Sequence, residues 1–259
     1  MSLLLLDIGN SRTKWAIAQH GSIQAHGAKN NSAIEPLDGL PTEIAEALRP
    51  ATVTQVWISC VANNEILDVA QRLWLAAVPT KNVHLVEVSA SLGPITNNYR
   101  DLRQLGIDRW VACFGARQIN AQGDVIIVDA GTAVTVDWLS SDNVFMGGAI
   151  LPGASLMHRA LVGQTAGIDA EQLSHAPIVG QTTTECVNSG VIYGLVGAVE
   201  NVVNEMQKEL SKPAQVVLCG GASELLLKQG FSPMGSVRHE PHLVPLGLLA
   251  MAQLNDGVR

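Results

Sequence analysis

Apolar residues along the chain fall first into short unbroken runs rather than long stripes. Leu3-Leu4-Leu5-Leu6 leads into Asp7-Ile8-Gly9-Asn10, and Val125-Ile126-Ile127-Val128 leads into Asp129-Ala130-Gly131-Thr132. A short apolar run bounded by a glycine turn predicts a strand covered on both faces. Past each turn, Lys14-Trp15-Ala16-Ile17-Ala18 and Val134-Thr135-Val136-Asp137-Trp138 keep the apolar alternation of a half-buried hairpin arm. A third strand is predicted in each case, over 22–26 and 143–148.

A second echo follows the first. Gln55-Val56-Trp57-Ile58-Ser59-Cys60-Val61-Ala62 resembles Gln215-Val216-Val217-Leu218-Cys219-Gly220-Gly221-Ala222. Each reads as a strand, a small-residue turn and a helix, over 65–77 and 223–229. Further helices are predicted over 109–119, 154–161 and 187–208. The chain thus reads as an α/β protein of two lobes on one plan, each with antiparallel hairpins followed by helix–strand alternation. Those hairpins predict a mixed sheet in each lobe rather than an all-parallel one. The boundary is expected near 122–123, with 1–122 as the N-terminal and 123–259 as the C-terminal lobe.

Composition narrows the classes. The 259 residues carry a formal charge of −7, with 47% hydrophobic and 15% charged residues. An acidic chain without basic runs gives no support for nucleic-acid binding. The apolar start is too short for a signal sequence, and no uninterrupted apolar run has membrane-spanning length, so no membrane partner is expected. Cys60, Cys113, Cys186 and Cys219 are scattered, with no Cys-x-x-Cys pair. They read as core thiols of a reduced, cytoplasmic protein.

The Asp-x-Gly turns carry the first candidate chemistry. A glycine in a tight turn lets backbone N–H groups approach a ligand, and two such turns suit a polyphosphate. A carboxylate at each strand end repels phosphate, so its natural work is to hold a cation that bridges to phosphate oxygens. Asn10, Ser11, Thr13 and Thr132 add donors; Lys14 either supplies a point charge or aims outward. The second constellation is Tyr99, then Gly106-Ile107-Asp108-Arg109 at a helix start. Asp108 there is either a dipole-favoured structural residue or a base against a substrate hydroxyl. Arg109 is either a salt-bridge partner or a forked donor for an anion. Gly147–Gly153 reads as a small-residue loop, and the threonines at 182–184 as candidate helix caps. Gly190, Gly194 and Gly197 read as a tight-packing stripe, inside the lobe or across a subunit interface. The histidines, His158 and His242 included, have no ligand-like spacing.

Taken in order, these motifs resemble the type III pantothenate kinases of the acetate and sugar kinase/heat-shock/actin superfamily. Asp7-Ile8-Gly9-Asn10 looks like the first phosphate motif and Asp129-Ala130-Gly131-Thr132-Ala133 like the second. Gly106-Ile107-Asp108-Arg109 is similar to the family's Gly-x-Asp-Arg signature. The resemblance implies two actin-like, ribonuclease H-like lobes with an ATP cleft between them. It implies a homodimer that phosphorylates pantothenate with ATP, the first step of coenzyme A synthesis. Carried over, Asp108 is the general base, with Tyr99, Gly106, Ile107, Arg109 and Thr183 at the pantothenate. Gly9, Asn10, Ser11, Arg12, Thr13, Lys14 and Thr132 fall to ATP. Asp129 falls to a monovalent cation, potassium or ammonium, and Asp7 to magnesium. Ser11 replaces the threonine of many relatives, and Thr182-Thr183-Thr184 replaces an Asn-Thr pair. Two other readings are another superfamily kinase acting on a sugar or similar metabolite, and a non-enzymatic nucleotide-binding regulator.

Overall fold

Leu3, Leu4, Leu5 and Leu6 are at most 3% exposed because their strand runs through the middle of a sheet covered on both faces. The computed structural model describes residues 2–31, 53–78, 80, 82–164 and 177–257. It forms two units, Met1–Ala121 with His242–Arg259, and Gln122–Pro241.

In the first unit β1 (Ser2–Ile8), β2 (Arg12–Gln19), β3 (Ser22–Asn30), β4 (Gln55–Cys60) and β5 (Val83–Leu85) lie in the order β3-β2-β1-β4-β5. The first three strands are antiparallel, and β4 runs parallel to β1 and β5 to β4. Leu4, Leu6 and Ile8 point to one face, where they meet Trp15, Ile17, Val56 and Ile58. Helix α1 (Asn64–Ala77) follows β4, and β6 (Ser91–Leu92) and β7 (Ile95–Asn97) form a short hairpin. Helix α2 (Ile107–Ile119) buries Trp110, Val111 and Phe114.

Within the second unit β8 (Val125–Ala130), β9 (Ala133–Leu139), β10 (Val144–Pro152), β11 (Gln215–Cys219) and β12 (Val237–His239) repeat that plan in the order β10-β9-β8-β11-β12. β8, β9 and β10 are antiparallel, with β11 parallel to β8 and β12 to β11. Between β10 and β11 come α3 (Ala154–Gln164) and α4 (Thr183–Lys208), and α5 (Ser223–Lys228) follows β11. Val187, Val191, Leu195, Val199 and Val203 recur every fourth residue on α4, so one stripe packs on Ile126, Val128 and Leu218. Length and composition alone would let α4 cross a membrane, but half of that stretch is buried in the protein, as in a core helix.

The structure corrects several expectations. The last helix, α6 (Leu243–Gly257), belongs to the first unit, not to a C-terminal lobe running to 259. It packs on α2 where two glycines meet backbone: a Cβ on Gly115 would strike the Leu243 carbonyl, and one on Gly247 the Val111 carbonyl. Among the described residues Gly190 and Gly197 meet nothing, and Gly194 meets only the Met157 methyl at 4.0 Å, so this trio makes no tight contact with any described residue of the unit. The stretch read as a loop from Gly147 is strand as far as Pro152, with a bulge between Phe145 and Gly147. Helix α4 begins at Thr183, four residues before the first buried valine that marks its stripe. Among the cysteines only Cys113 and Cys219 are buried; Cys60 is half-buried and Cys186 exposed on the first turn of α4.

Candidate active site

The first Asp-x-Gly turn joins β1 to β2. Gly9 N–H donates to the Arg12 carbonyl at 3.0 Å, leaving Asn10, Ser11 and Arg12 exposed at the tip. Asp7 is 7% exposed and pairs in register with Lys14, whose Nζ lies 3.7 Å from its carboxylate. Lys14 therefore turns toward the carboxylate rather than outward. Thr13, expected among the ligand donors, is 1% exposed, and its hydroxyl donates to Asn31 Oδ1 at 2.8 Å. On the neighbouring strand, burial pushes the Cys60 thiol pKa up, and the negative charge of Asp7 adds to that shift.

The second turn joins β8 to β9. Gly131 N–H donates to the Ala133 carbonyl at 3.0 Å, and Thr132 stands exposed. Gly153 N–H donates to the Thr132 carbonyl at 3.0 Å, and Ala222 N–H to the Ala130 carbonyl at 2.8 Å. Gly220 has φ +91°, and a Cβ there would run into Asp129 Oδ1 and the Ala130 carbonyl. Asp129 is half-buried and faces Thr135 across the hairpin. Among the described residues its carboxylate has no hydrogen-bond or ion-pair partner.

The third cluster lies in the first unit at the start of α2. Gly106 is the N-cap without a side-chain cap, and Asp108 Oδ1 accepts the Arg109 N–H at 2.8 Å. A Cβ on Gly106 would come within 2.6 Å of that oxygen, so glycine leaves room for the carboxylate to fold back. Arg109, 5% exposed, donates from Nη1 to the Tyr99 hydroxyl at 3.3 Å, with its guanidinium 5.7 Å from the Tyr99 ring centre. The structure thus brings Tyr99, Gly106, Asp108 and Arg109 together; Ile107 is buried beneath them. In the second unit Thr182 caps α4 in a capping box with Glu185, its hydroxyl accepting the Glu185 N–H at 3.2 Å. That assignment leaves Thr183 exposed on a cavity of about 470 Å³ lined also by Leu161, Gln181 and Cys186.

Three residues escaped the sequence reading. Asn31 sits just past the third strand, and no spacing ties it to Gly9. Gly153 and Gly220 stood in small-residue turns without a stated contact, although their kinship with the two hairpins was visible in the repeat.

The family model for type III pantothenate kinases matches residues 3–205. The type III pantothenate kinase of Teredinibacter turnerae is 35% identical over 256 residues, covering 97% of this chain and 98% of that one. That of Halorhodospira halophila is 37% identical over 257 residues, covering 95% and 96%. This chain is a member of the type III pantothenate kinases. Among solved structures, one described as a Baf family transcriptional activator from Campylobacter jejuni shares the fold with a TM-score of 0.58 at 19% identity, covering 98% and 99% of the two chains. The ethanolamine utilization protein EutJ from Carboxydothermus hydrogenoformans shares it with a TM-score of 0.51 at 13% identity, covering 97% and 90%. The chain is accordingly an enzyme of the phosphotransferase class with the mixed α/β, actin-like fold of its superfamily.

Proposed function

We propose that this kinase transfers the γ-phosphoryl group of ATP to the terminal hydroxyl of pantothenate, opening coenzyme A synthesis. The observation that carries the reading is one strand order present twice, each copy ending its first strand in an Asp-x-Gly turn, in a chain of this family. In this reading Gly9 to Arg12, Lys14 and Thr132 take the ATP phosphates, while Thr13 is turned inward onto Asn31. Tyr99, the backbone of Gly106 and Ile107, Arg109 and Thr183 hold pantothenate. Arg109 is oriented by the Tyr99 hydroxyl, which suits a fork aimed at the substrate carboxylate. Asp108 is held by its own helix start, where negative charge is favoured, and orients the attacking hydroxyl before taking its proton late.

Asp129 fits a monovalent cation, because a carboxylate with no protein partner among the described residues would otherwise repel the phosphates. Asp7, already paired with Lys14, suits magnesium through water. Among the described residues no group of three or more His, Cys, Asp or Glu side chains forms a metal cage, which agrees with cations shared with substrate phosphates. When bound, such cations neutralise charge on the phosphates. The enzyme acts in the cytoplasm as a homodimer, its interface including the exposed face of α4 that carries Gly190, Gly194 and Gly197 next to Thr183.

A coupled ADP-release assay with potassium and magnesium tests the reading. Pantothenate should be turned over, and Asp108→Asn should lower kcat by about 10²–10⁴. Turnover of a sugar instead of pantothenate would transfer the reading to another superfamily kinase. Wild-type kcat in the Asn variant would leave Asp108 a structural helix-start residue.

A further inference from the structure

We infer that Asn31 is a positioning residue for the ATP phosphates, setting the peptide planes of the first Asp-x-Gly turn. It rests on the reading that this turn receives the phosphates. Asn31 follows β3 directly and touches the turn at three points. Its Nδ2 donates to the Gly9 carbonyl at 2.6 Å, its backbone N–H donates to the Ser11 carbonyl at 2.9 Å, and its Oδ1 accepts the Thr13 hydroxyl at 2.8 Å. The entry, tip and exit of the turn are thereby tied to one residue.

The consequence follows from peptide geometry. In a trans peptide the N–H points opposite to the carbonyl of the same plane. Holding the Gly9 and Ser11 carbonyls on Asn31 therefore aims the Asn10 and Arg12 amides away from Asn31, and no peptide here is cis. Among the described residues the Asn10 N–H has no acceptor. Backbone donors held ready on one side of a glycine turn are what a phosphate requires. Asn31 pre-sets them, so the turn need not reorganise when nucleotide binds.

The second turn supports the assignment by doing the corresponding task with backbone alone. Gly153 N–H holds the Thr132 carbonyl at 3.0 Å, as Asn31 N–H holds that of Ser11. The first turn is one residue longer, four residues (9–12) against three (131–133) between paired strand ends. The extra length leaves a carbonyl, that of Gly9, which the Asn31 side chain takes up.

The test is ADP binding by calorimetry together with steady-state kinetics on the full-length enzyme. Asn31→Ala should raise Kd for ADP and KM for ATP about tenfold, with KM for pantothenate changed by less than about twofold. Asn31→Asp keeps the acceptor for Thr13 but sets a carboxylate oxygen against the Gly9 carbonyl, and should be at least as impaired as Ala. Thr13→Val, which removes only the hydroxyl, should give about a threefold effect and carries the test if the Asn31 variants do not fold. Unchanged ADP affinity in the folded variants, even with a lowered Tm, would overturn the inference and leave Asn31 a stabilising residue only. An Asp variant matching wild type would overturn it too. Wild-type protein that binds no ADP would instead overturn the phosphate reading of the turn itself.

Discussion

Opposite the strand-end carboxylate of the first turn stands Lys14; opposite that of the second stands Thr135. The strands are otherwise matched, each turn closing an antiparallel pair that also carries a parallel neighbour. Asp7 therefore has a cation supplied by the chain, 3.7 Å away, and among the described residues Asp129 does not. The supports differ as well. An asparagine side chain holds the first turn, whereas Gly153 and Gly220 hold the second by close backbone approach. Two copies of one plan thus differ at the strand end, one carboxylate paired with a lysine of the chain and the other without an ion-pair partner among the described residues.

The largest effects should come from exchanging those carboxylate partners. Two unit charges about 4 Å apart at an effective dielectric of about 20 interact by about 4 kcal/mol, too much to leave uncompensated if the proposed phosphate site lies beside Asp129. At fixed ionic strength the activity should rise steeply with potassium. Asp129→Ala should lower kcat/KM for ATP about a hundredfold and lose most of that response. Thr135→Lys copies the first turn onto the second and should retain activity while flattening the potassium dependence. Full wild-type activity with tetramethylammonium as the sole monovalent cation would remove the distinction between the two carboxylates.

A smaller effect separates the glycines. Gly220 combines φ +91° with contact against Asp129 Oδ1, so Gly220→Ala should destabilise the fold by about 1–3 kcal/mol. Gly9 has no positive φ, and among the described residues its added Cβ would meet only the Arg12 carbonyl at 3.1 Å. Gly9→Ala should therefore cost less stability than Gly220→Ala in parallel thermal melts. The reverse order would mean that the first turn is the more tightly packed.

The smallest effect is a rate. Thiol labelling in native protein should be fastest at exposed Cys186, slower at half-buried Cys60, and slowest at buried Cys113 and Cys219. Because burial raises the Cys60 pKa, its thiolate fraction at mildly alkaline pH lies below that of an unfolded cysteine, and labelling should climb as pH rises further. Mass spectrometry of time-quenched samples reads this order. Cys60 labelled at the rate of unfolded protein would show that the strand beside the first turn is open.

The hairpin strands and the two echo strands were legible in the residues because they depend on local runs and their repetition. Four leucines before Asp7 and Val125 to Val128 before Asp129 mark buried strands, and the echo around Cys60 and Cys219 marks one more in each lobe. The short β5, β6, β7 and β12 were not foreseen, and the pairing order came from the structure. The Asp108–Arg109 helix start was legible for the same reason, as a short motif ahead of an apolar face. Thr13 misled because a threonine in a turn looks like a donor for a ligand, and only its 1% exposure shows the hydroxyl turned inward. Spacing on α4 left packing inside the lobe or across a subunit interface open for Gly190 and Gly197. Among the described residues the first is absent, and the helix glycines that meet backbone are Gly115 and Gly247, far apart in sequence.

The sequence by itself determined the repeat, the two turns and the family, since runs, turns and motifs are encoded within a few residues of one another. Tertiary structure alone decided what meets across long separations. It placed α6 on the first unit, where its backbone meets α2, although the chain has by then passed through the whole second unit. It brought Asn31 to Gly9 across 22 positions and gave Lys14 rather than solvent to Asp7. Such contacts depend on which faces the sheet leaves uncovered and which hydrogen-bonding groups must be satisfied, and neither is written in any local stretch of the chain.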